Sequence, residues 1–171
     1  MDVRFPIGRL EVPERITFDD VMSWLSRIDA YVARLNETVS GLSDEDLEKT
    51  YREGAWSVRQ LVHHIADSQL NMYQRLKLAL TQDGVSVPDF KQDAWAKLPD
   101  NTEPVKVSIQ LLDSLNQRIV ALGHSLSESQ LEHKFLLNGK DASTVGDTFA
   151  KLAWHEEHHL AHIKIALGES I

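Results

Sequence analysis

Ser57-Val58-Arg59-Gln60-Leu61-Val62-His63-His64-Ile65 opens the segment on which the fold turns. Ser57 with Gln60 three residues on forms a capping box, each side chain satisfying the other's backbone N–H at a helix start. Apolar residues then recur at helical spacing through Leu61, Ile65, Met72, Leu76 and Leu80, until Gly84 and Pro88 stop the run. The pattern predicts a long amphipathic helix that carries two adjacent histidines near its start.

A second histidine-bearing segment lies close to the C-terminus. Ser143-Thr144 precedes a predicted helix reaching about Leu167-Gly168, and within it runs Trp154-His155-Glu156-Glu157-His158-His159-Leu160-Ala161-His162-Ile163. Four of the eight histidines fall there. Two further helices precede these. One starts at the cap residues Thr17-Phe18-Asp19-Asp20 and reaches about Leu42, with Val21, Leu25, Ile28, Val32 and Leu35 on one face. The other is opened by Pro104 and runs through Ile109, Leu112, Leu115, Ile119 and Leu122. A weak repeat orders the four: Leu42-Ser43-x-x-Asp46-Leu47 recurs as Leu126-Ser127-x-x-Gln130-Leu131. Each copy follows a long helix and precedes a histidine-bearing one.

Two such halves make an all-α four-helix bundle, an architecture that builds metal sites from side chains on facing helices. Residues 1 to about 16, with Pro6, Gly8 and Pro13, read as a short extended N-terminal arm lying on the body. Residues 83–103 read as a linker with one short amphipathic piece around Phe90, Ala94, Trp95 and Leu98, and Asn138-Gly139 as a turn. No strand-like alternation of useful length is present. One domain over residues 1–171 is expected from the length.

Composition narrows the function classes. A net charge of −8 argues against general nucleic-acid binding, which draws on phosphate neutralisation. No polybasic run points to an anionic membrane, no apolar run has the ~18–20 residues of a transmembrane helix, and the start lacks a signal-peptide core, so a cytoplasmic location is expected. The absence of cysteine excludes disulfides and thiolate ligands, which leaves nitrogen and oxygen to hold any metal.

Helical projection sorts the histidines. On the last helix the apolar stripe centres near Val145, Phe149, Leu152, Leu160 and Ile163; His159 falls within about 50° of it and His155 on its flank. His162 lies further round, and His158 points largely outward. His155 and His159, one turn apart, are thus the inward pair, half of a transition-metal site for zinc or nickel. On the second long helix His64 flanks the apolar stripe and His63 lies nearly opposite it, so His64 is the better third ligand. His124 and His133 follow no ligand spacing and are expected at the surface. Glu156 projects close to the apolar seam; it could orient a ligand histidine, act as a base toward metal-bound water, or bond a neighbouring helix.

The literal His155-Glu156-x-x-His159 matches the zinc-protease motif. Too little chain follows for a downstream third ligand, and no strand-rich half is present to hold a peptide, so that reading is rejected. A Ser-His-Asp hydrolase finds no Gly-x-Ser-x-Gly, and there is no Gly-rich phosphate loop. Ser68, Asn71 and Arg75 follow His64 at helical spacing and could line a polar groove, with Arg75 receiving an anionic group. Tyr51, Arg52 and Trp56 could edge the same pocket.

Arg4-Phe5-Pro6-Ile7-Gly8-Arg9, the block from Tyr51 to Ser68 and the block from Ala153 to Ile163 resemble the YfiT family of metal-dependent hydrolases, within the DinB-like superfamily. The likeness covers nearly the whole chain and is loosest over residues 84–103. It implies a DinB/YfiT-like four-helix bundle, a homodimer, and one divalent metal per subunit on His64, His155 and His159, the set that projection also selects. Zinc is the metal it implies first, with nickel a second occupant. The superfamily also contains transferases that use bacillithiol, mycothiol or glutathione.

Three neutral imidazoles leave an ion its +2 charge. Such a site can lower the pKa of bound water from about 15.7 toward ~7, giving a hydrolase. It can equally strip the proton from a coordinated thiol, giving a metal-dependent thiol S-transferase that acts on a small-molecule substrate. The non-catalytic alternative is a metal-stabilised helical module. Structural zinc sites are normally closed by four ligands, so that alternative needs a fourth from Asp67, Asp147 or Glu156.

Overall fold

In the computed structural model, which describes residues 2–171, four long helices carry the architecture. They are α1 (Phe18–Val39), α3 (Val58–Thr81), α5 (Val105–His124) and α6 (Val145–Leu167). Shorter pieces lie between them: α2 (Asp44–Leu47), β1 (Val85–Val87), α4 (Gln92–Trp95), 3-10 turns at Pro99–Thr102 and Glu128–Glu132, β2 (Lys134–Leu137) and β3 (Asp141–Thr144). Residue Met1 of the predicted arm lies outside the described residues.

The helix starts follow their cap chemistry. Thr17 with Asp20, Ser57 with Gln60 and Thr144 with Asp147 all form complete capping boxes. Gly168 ends α6 at φ 77°, a left-handed conformation that glycine adopts without a Cβ penalty. Pro104 is the N-cap of α5, one position earlier than the first-turn role expected of it.

Helix order around the bundle differs from chain order. α1 and α3 each pack against both α5 and α6, which sets α1 diagonal to α3 and α5 diagonal to α6. Each histidine-bearing helix therefore lies directly beside the other. Close approach of α5 to α1 is made at Gly123, where an added Cβ would come within 2.7 Å of both Leu25 methyl carbons.

Two apolar clusters fill the interior. One holds Leu25, Ile28, Leu76, Ile119, Phe149 and Leu152; the other holds Tyr31, Leu35, Leu61, Ile65, Leu112 and Ile163. Between them a buried polar node draws on all four helices. Glu156 Oε1 accepts from Asn116 Nδ2 at 2.7 Å and from Gln69 Nε2 at 3.0 Å, while Asn116 Nδ2 also donates to the Ile28 carbonyl at 3.1 Å. Gln69 Nε2 donates in addition to Asn116 Oδ1 at 2.9 Å.

A small sheet that no sequence alternation announces has the order β1-β2-β3, with β1 parallel to β2 and β2 antiparallel to β3. Strands of three and four residues are too short for alternation to register against the background. The sheet pins part of the predicted linker to the segment before α6. Along residues 2–8 the arm is turned rather than extended, with Phe5 N–H on the Asp2 carbonyl and Gly8 N–H on the Phe5 carbonyl. No helix among the described residues is long and apolar enough to cross a membrane.

Candidate metal centre

The second turn of α3 and the middle of α6 bring three imidazoles to one point. His155 Nε2 stands 3.1 Å from His64 Nε2 and 3.1 Å from His159 Nε2. All three side chains are buried. Burial holds the His64 pKa down to about 4. Burial also pushes those of His155 and His159 well below the usual imidazole range, and the neighbouring histidines act in the same direction. Neutral imidazoles keep the lone pair that a metal takes.

The proton positions on His159 follow from its neighbours. The Val3 carbonyl can only accept, so His162 Nε2, 3.0 Å away, carries the proton and donates it. Neutral His162 then offers an Nδ1 lone pair, which faces His159 Nδ1 at 3.3 Å. His159 therefore donates from Nδ1 and turns an unprotonated Nε2 toward His155. This is the orientation that a histidine ligand needs, with its other nitrogen committed to a hydrogen bond.

The fit to a divalent ion is good. Two nitrogens at ~2.0–2.1 Å from a tetrahedral ion stand about 3.3 Å apart. His155 Nε2 can donate at most one proton, so it cannot satisfy both facing nitrogens, and its own buried Nδ1 has no partner. The donor set is all nitrogen, as a cysteine-free chain requires. Among the described residues no carboxylate joins this cluster; Asp147 serves the α6 cap, and Glu156 bonds the neighbouring helices through Gln69 and Asn116. Burial raises the Glu156 carboxyl well above its usual range, against the Asn116 hydrogen bond that lowers it.

Most of the other histidines are more enclosed than projection alone implies. His158 does not point outward: it is buried, stacked on Trp154 with ring centroids 4.3 Å apart and approached by Phe5 of the arm. His162 and His63 are buried as well. Projection measured each residue against its own helix's apolar stripe and was blind to what covers the other side. His63 Nε2 donates to the Glu103 carbonyl at 2.9 Å, and its Nδ1 accepts from Ser108 at 2.7 Å, so both nitrogens are committed to the start of α5 and the residues just before it. His133 is half-buried and meets the Ala79 carbonyl; His124 is exposed.

His158, His159 and His162 form a second close group. There, however, His162 is engaged at Nε2 with Val3 and lies with its ring stacked on Tyr51 at 3.9 Å. Trp56 walls the first cluster at 4.5 Å from the His64 ring, and Phe90 stacks further out at 6.1 Å. A cleft of about 540 Å³ reaches it from the arm side, past Tyr51, Arg52 and Trp56, the residues expected to edge a pocket. The roles of His162 and Val3 were missed in the sequence, although the i, i+3 spacing from His159 was there to be read.

Residues 27–163 match the family model of the DinB superfamily. This chain belongs to that superfamily. Among DinB-like relatives, "Putative metal-dependent hydrolase OB0413" of Oceanobacillus iheyensis is 59% identical over 170 residues, covering 99% of this chain and 98% of its own. "Putative metal-dependent hydrolase BH0277" of Halalkalibacterium halodurans is 42% identical, covering 98% of each. The solved structure of YfiT from Bacillus subtilis, described as having an unusual four-helix bundle topology, superposes with a TM-score of 0.92 at 32% identity over 99% of this chain and all of that one. A mycothiol-dependent maleylpyruvate isomerase shares the fold at a TM-score of 0.63 and 15% identity, over 85% of this chain and 62% of that chain. The DinB bundle expected from the sequence is the fold observed.

Proposed function

We propose that this protein is a metal-dependent hydrolase that holds one divalent ion, zinc first and nickel second, on His64, His155 and His159. The observation that carries the reading is the convergence of three histidines, with the His155 Nε2 3.1 Å from the Nε2 of both His64 and His159 and no carboxylate among the described residues of the cluster. The relatives' names support it. When bound, the ion supplies Lewis-acid charge that makes water or another nucleophile acidic at neutral pH.

The chain's own residues supply the rest. His162 fixes the His159 tautomer through Nδ1, and the Val3 carbonyl fixes His162. Trp56 and Phe90 keep bulk water from one side of the hub. Glu156, engaged by two amides in the bundle interior, anchors α6 to α3 and α5 and so holds the adjacent His155 in position; base chemistry is not its part in this proposal. Cytoplasmic location and assembly as a homodimer belong to the same proposal, and light scattering tests the second.

One observation favours a second reading, a thiol S-transferase using bacillithiol or a similar low-molecular-weight thiol. The hub has no carboxylate base among the described residues, and a thiol is acidic enough to make the least demand on one. The deciding experiment offers metal-loaded protein an ester and amide panel, and a halogenated aromatic with and without a low-molecular-weight thiol. Thiol-independent cleavage lost in His159→Ala supports the hydrolase. Turnover only with thiol overturns it in favour of the transferase.

A further inference from the structure

A groove of about 350 Å³ runs between α3 and α6, lined among others by Ser68, Asn71, Arg75, Phe90, Lys151 and His155. His155 belongs to both groove and hub, so a molecule bound in the groove reaches the metal cluster directly. We propose that this groove binds the anionic end of the substrate, a carboxylate or phosphate, on Arg75 and Lys151. The proposal deepens the reading above and rests on it for what the hub does to the rest of the molecule.

Arg75 carries the argument. Its side chain is 9% exposed, and its guanidinium cannot shed its proton. Its Nη2 donates to the Pro88 carbonyl at 3.2 Å, and no carboxylate among the described residues comes within ion-pair distance. The counter-charge that acts on it is Asp89, from beyond ion-pair distance and itself paired with Lys91, so the buried cation is under-matched and calls for a partner that arrives from outside. Packing alone accounts for part of it, since the guanidinium lies 5.7 Å over the Phe135 ring. Packing does not account for a second cation in the same groove.

That second cation is Lys151, exposed at the mouth and one turn before His155 on α6. It too has no ion-pair partner among the described residues, and desolvation in the groove, then the Arg75 charge, lower its pKa. Asp89 also lines the groove, but its carboxylate is engaged by Lys91 at 3.0 Å. The groove is thus cationic in a chain whose net charge is −8. One helical turn separates Lys151 from His155, which sets the anion ~6–10 Å from the hub. The substrate predicted is small, with a carboxylate or phosphate a few bonds from the reacting atom. A neutral ester or amide would leave both cations unmatched.

The test uses metal-free protein, so that its outcome does not depend on what the hub does. Succinate, inorganic phosphate and the neutral analogue succinamide are titrated at low salt, with backbone amide NMR signals of α3 and α6 as the readout. Saturable shifts centred on Ser68, Arg75 and Lys151, with succinate or phosphate but not succinamide and a Kd of ~1 mM, are expected. Whichever of the two anions saturates first identifies carboxylate or phosphate as the group read. Lys151→Gln, a change at an exposed position, should weaken binding ~5–10-fold, and Arg75→Gln should abolish saturation, while His64→Ala leaves both as in the parent. Equal response to succinamide, shifts centred elsewhere, or an unchanged Kd in Lys151→Gln would each overturn the anion site. Loss of esterase and amidase activity with anion binding intact would instead overturn the hydrolase reading alone.

Discussion

Two buried polar clusters sit side by side at mid-bundle, and they share two helices. The node of Gln69, Asn116 and Glu156 and the hub of His64, His155 and His159 both depend on α3 and α6, and His155 and Glu156 are adjacent in sequence. Burial does not tell them apart, since every member is buried. Complementarity does. In the node two amide groups donate to Glu156 Oε1, donor meeting acceptor, with Glu156 Oε2 and Gln69 Oε1 left over as buried acceptors. In the hub three nitrogens face one another, and His159 Nε2 has no proton to give. A cluster that pairs its own members holds a fold together, whereas one that leaves lone pairs aimed at a common point is shaped for something else.

The widest separation between the two should come from deleting one member of each. His155→Ala is expected to take the metal content from about one ion per chain to almost none and to cut activity at least ~10²-fold, read by elemental analysis and turnover. Glu156→Ala is expected to keep the metal but lose about 3 kcal/mol in urea denaturation, because two buried amide donors lose their acceptor. Glu156→Gln, which retains a carbonyl, should recover most of that. A folded, metal-loaded Glu156→Gln protein without activity would break the comparison by moving the carboxylate into the chemistry.

A smaller effect probes the link between hub and arm. His162→Phe keeps a ring against Tyr51 but removes the acceptor for His159, and metal affinity should fall ~10-fold or more in a chelator competition. Smallest is Asp67→Asn, one turn after His64 and outside both clusters. Burial, then Asp100, raises the folded Asp67 pKa from 3.8 to about 6. A carboxyl raised on folding favours the folded state only while protonated, so its contribution is present below pH 3.8 and lost as the pH climbs through 6. Asp67→Asn should therefore stabilise the protein by ~1 kcal/mol at pH 7, after allowance for partial exposure, and by almost nothing near pH 4 in thermal melts. A gain that persists at pH 4 would show that something other than charge is at work.

The bundle was legible because its helices announce themselves twice, by caps such as Ser57/Gln60 and by apolar spacing such as Leu61, Ile65 and Met72. Their diagonal order was not, because a helix's stripe states that it is buried without naming its neighbour. The three-stranded sheet escaped for lack of length. Among candidate ligands, the residues that projection selected are brought together, while the fate of His63, His158 and His162 depended on Glu103, Ser108, Trp154 and Val3. Glu103 and Val3 come from segments with no periodicity of their own, and Ser108 and Trp154 lie on helices whose apolar stripes do not state what their polar or aromatic flanks will cover. Lys151 escaped because the polar groove was traced along α3 alone, although its i, i+4 relation to His155 stands in the sequence.

The contact of His162 with the Val3 carbonyl spans 159 positions of chain. Two of the proposed ligands lie on α6 and the third on α3, so the complete set exists only where α6 has packed against α3. None of them lies on α1 or α5, so an ion at the hub would tie α3 to α6 and leave the seam between α1 and α5 to caps and apolar faces.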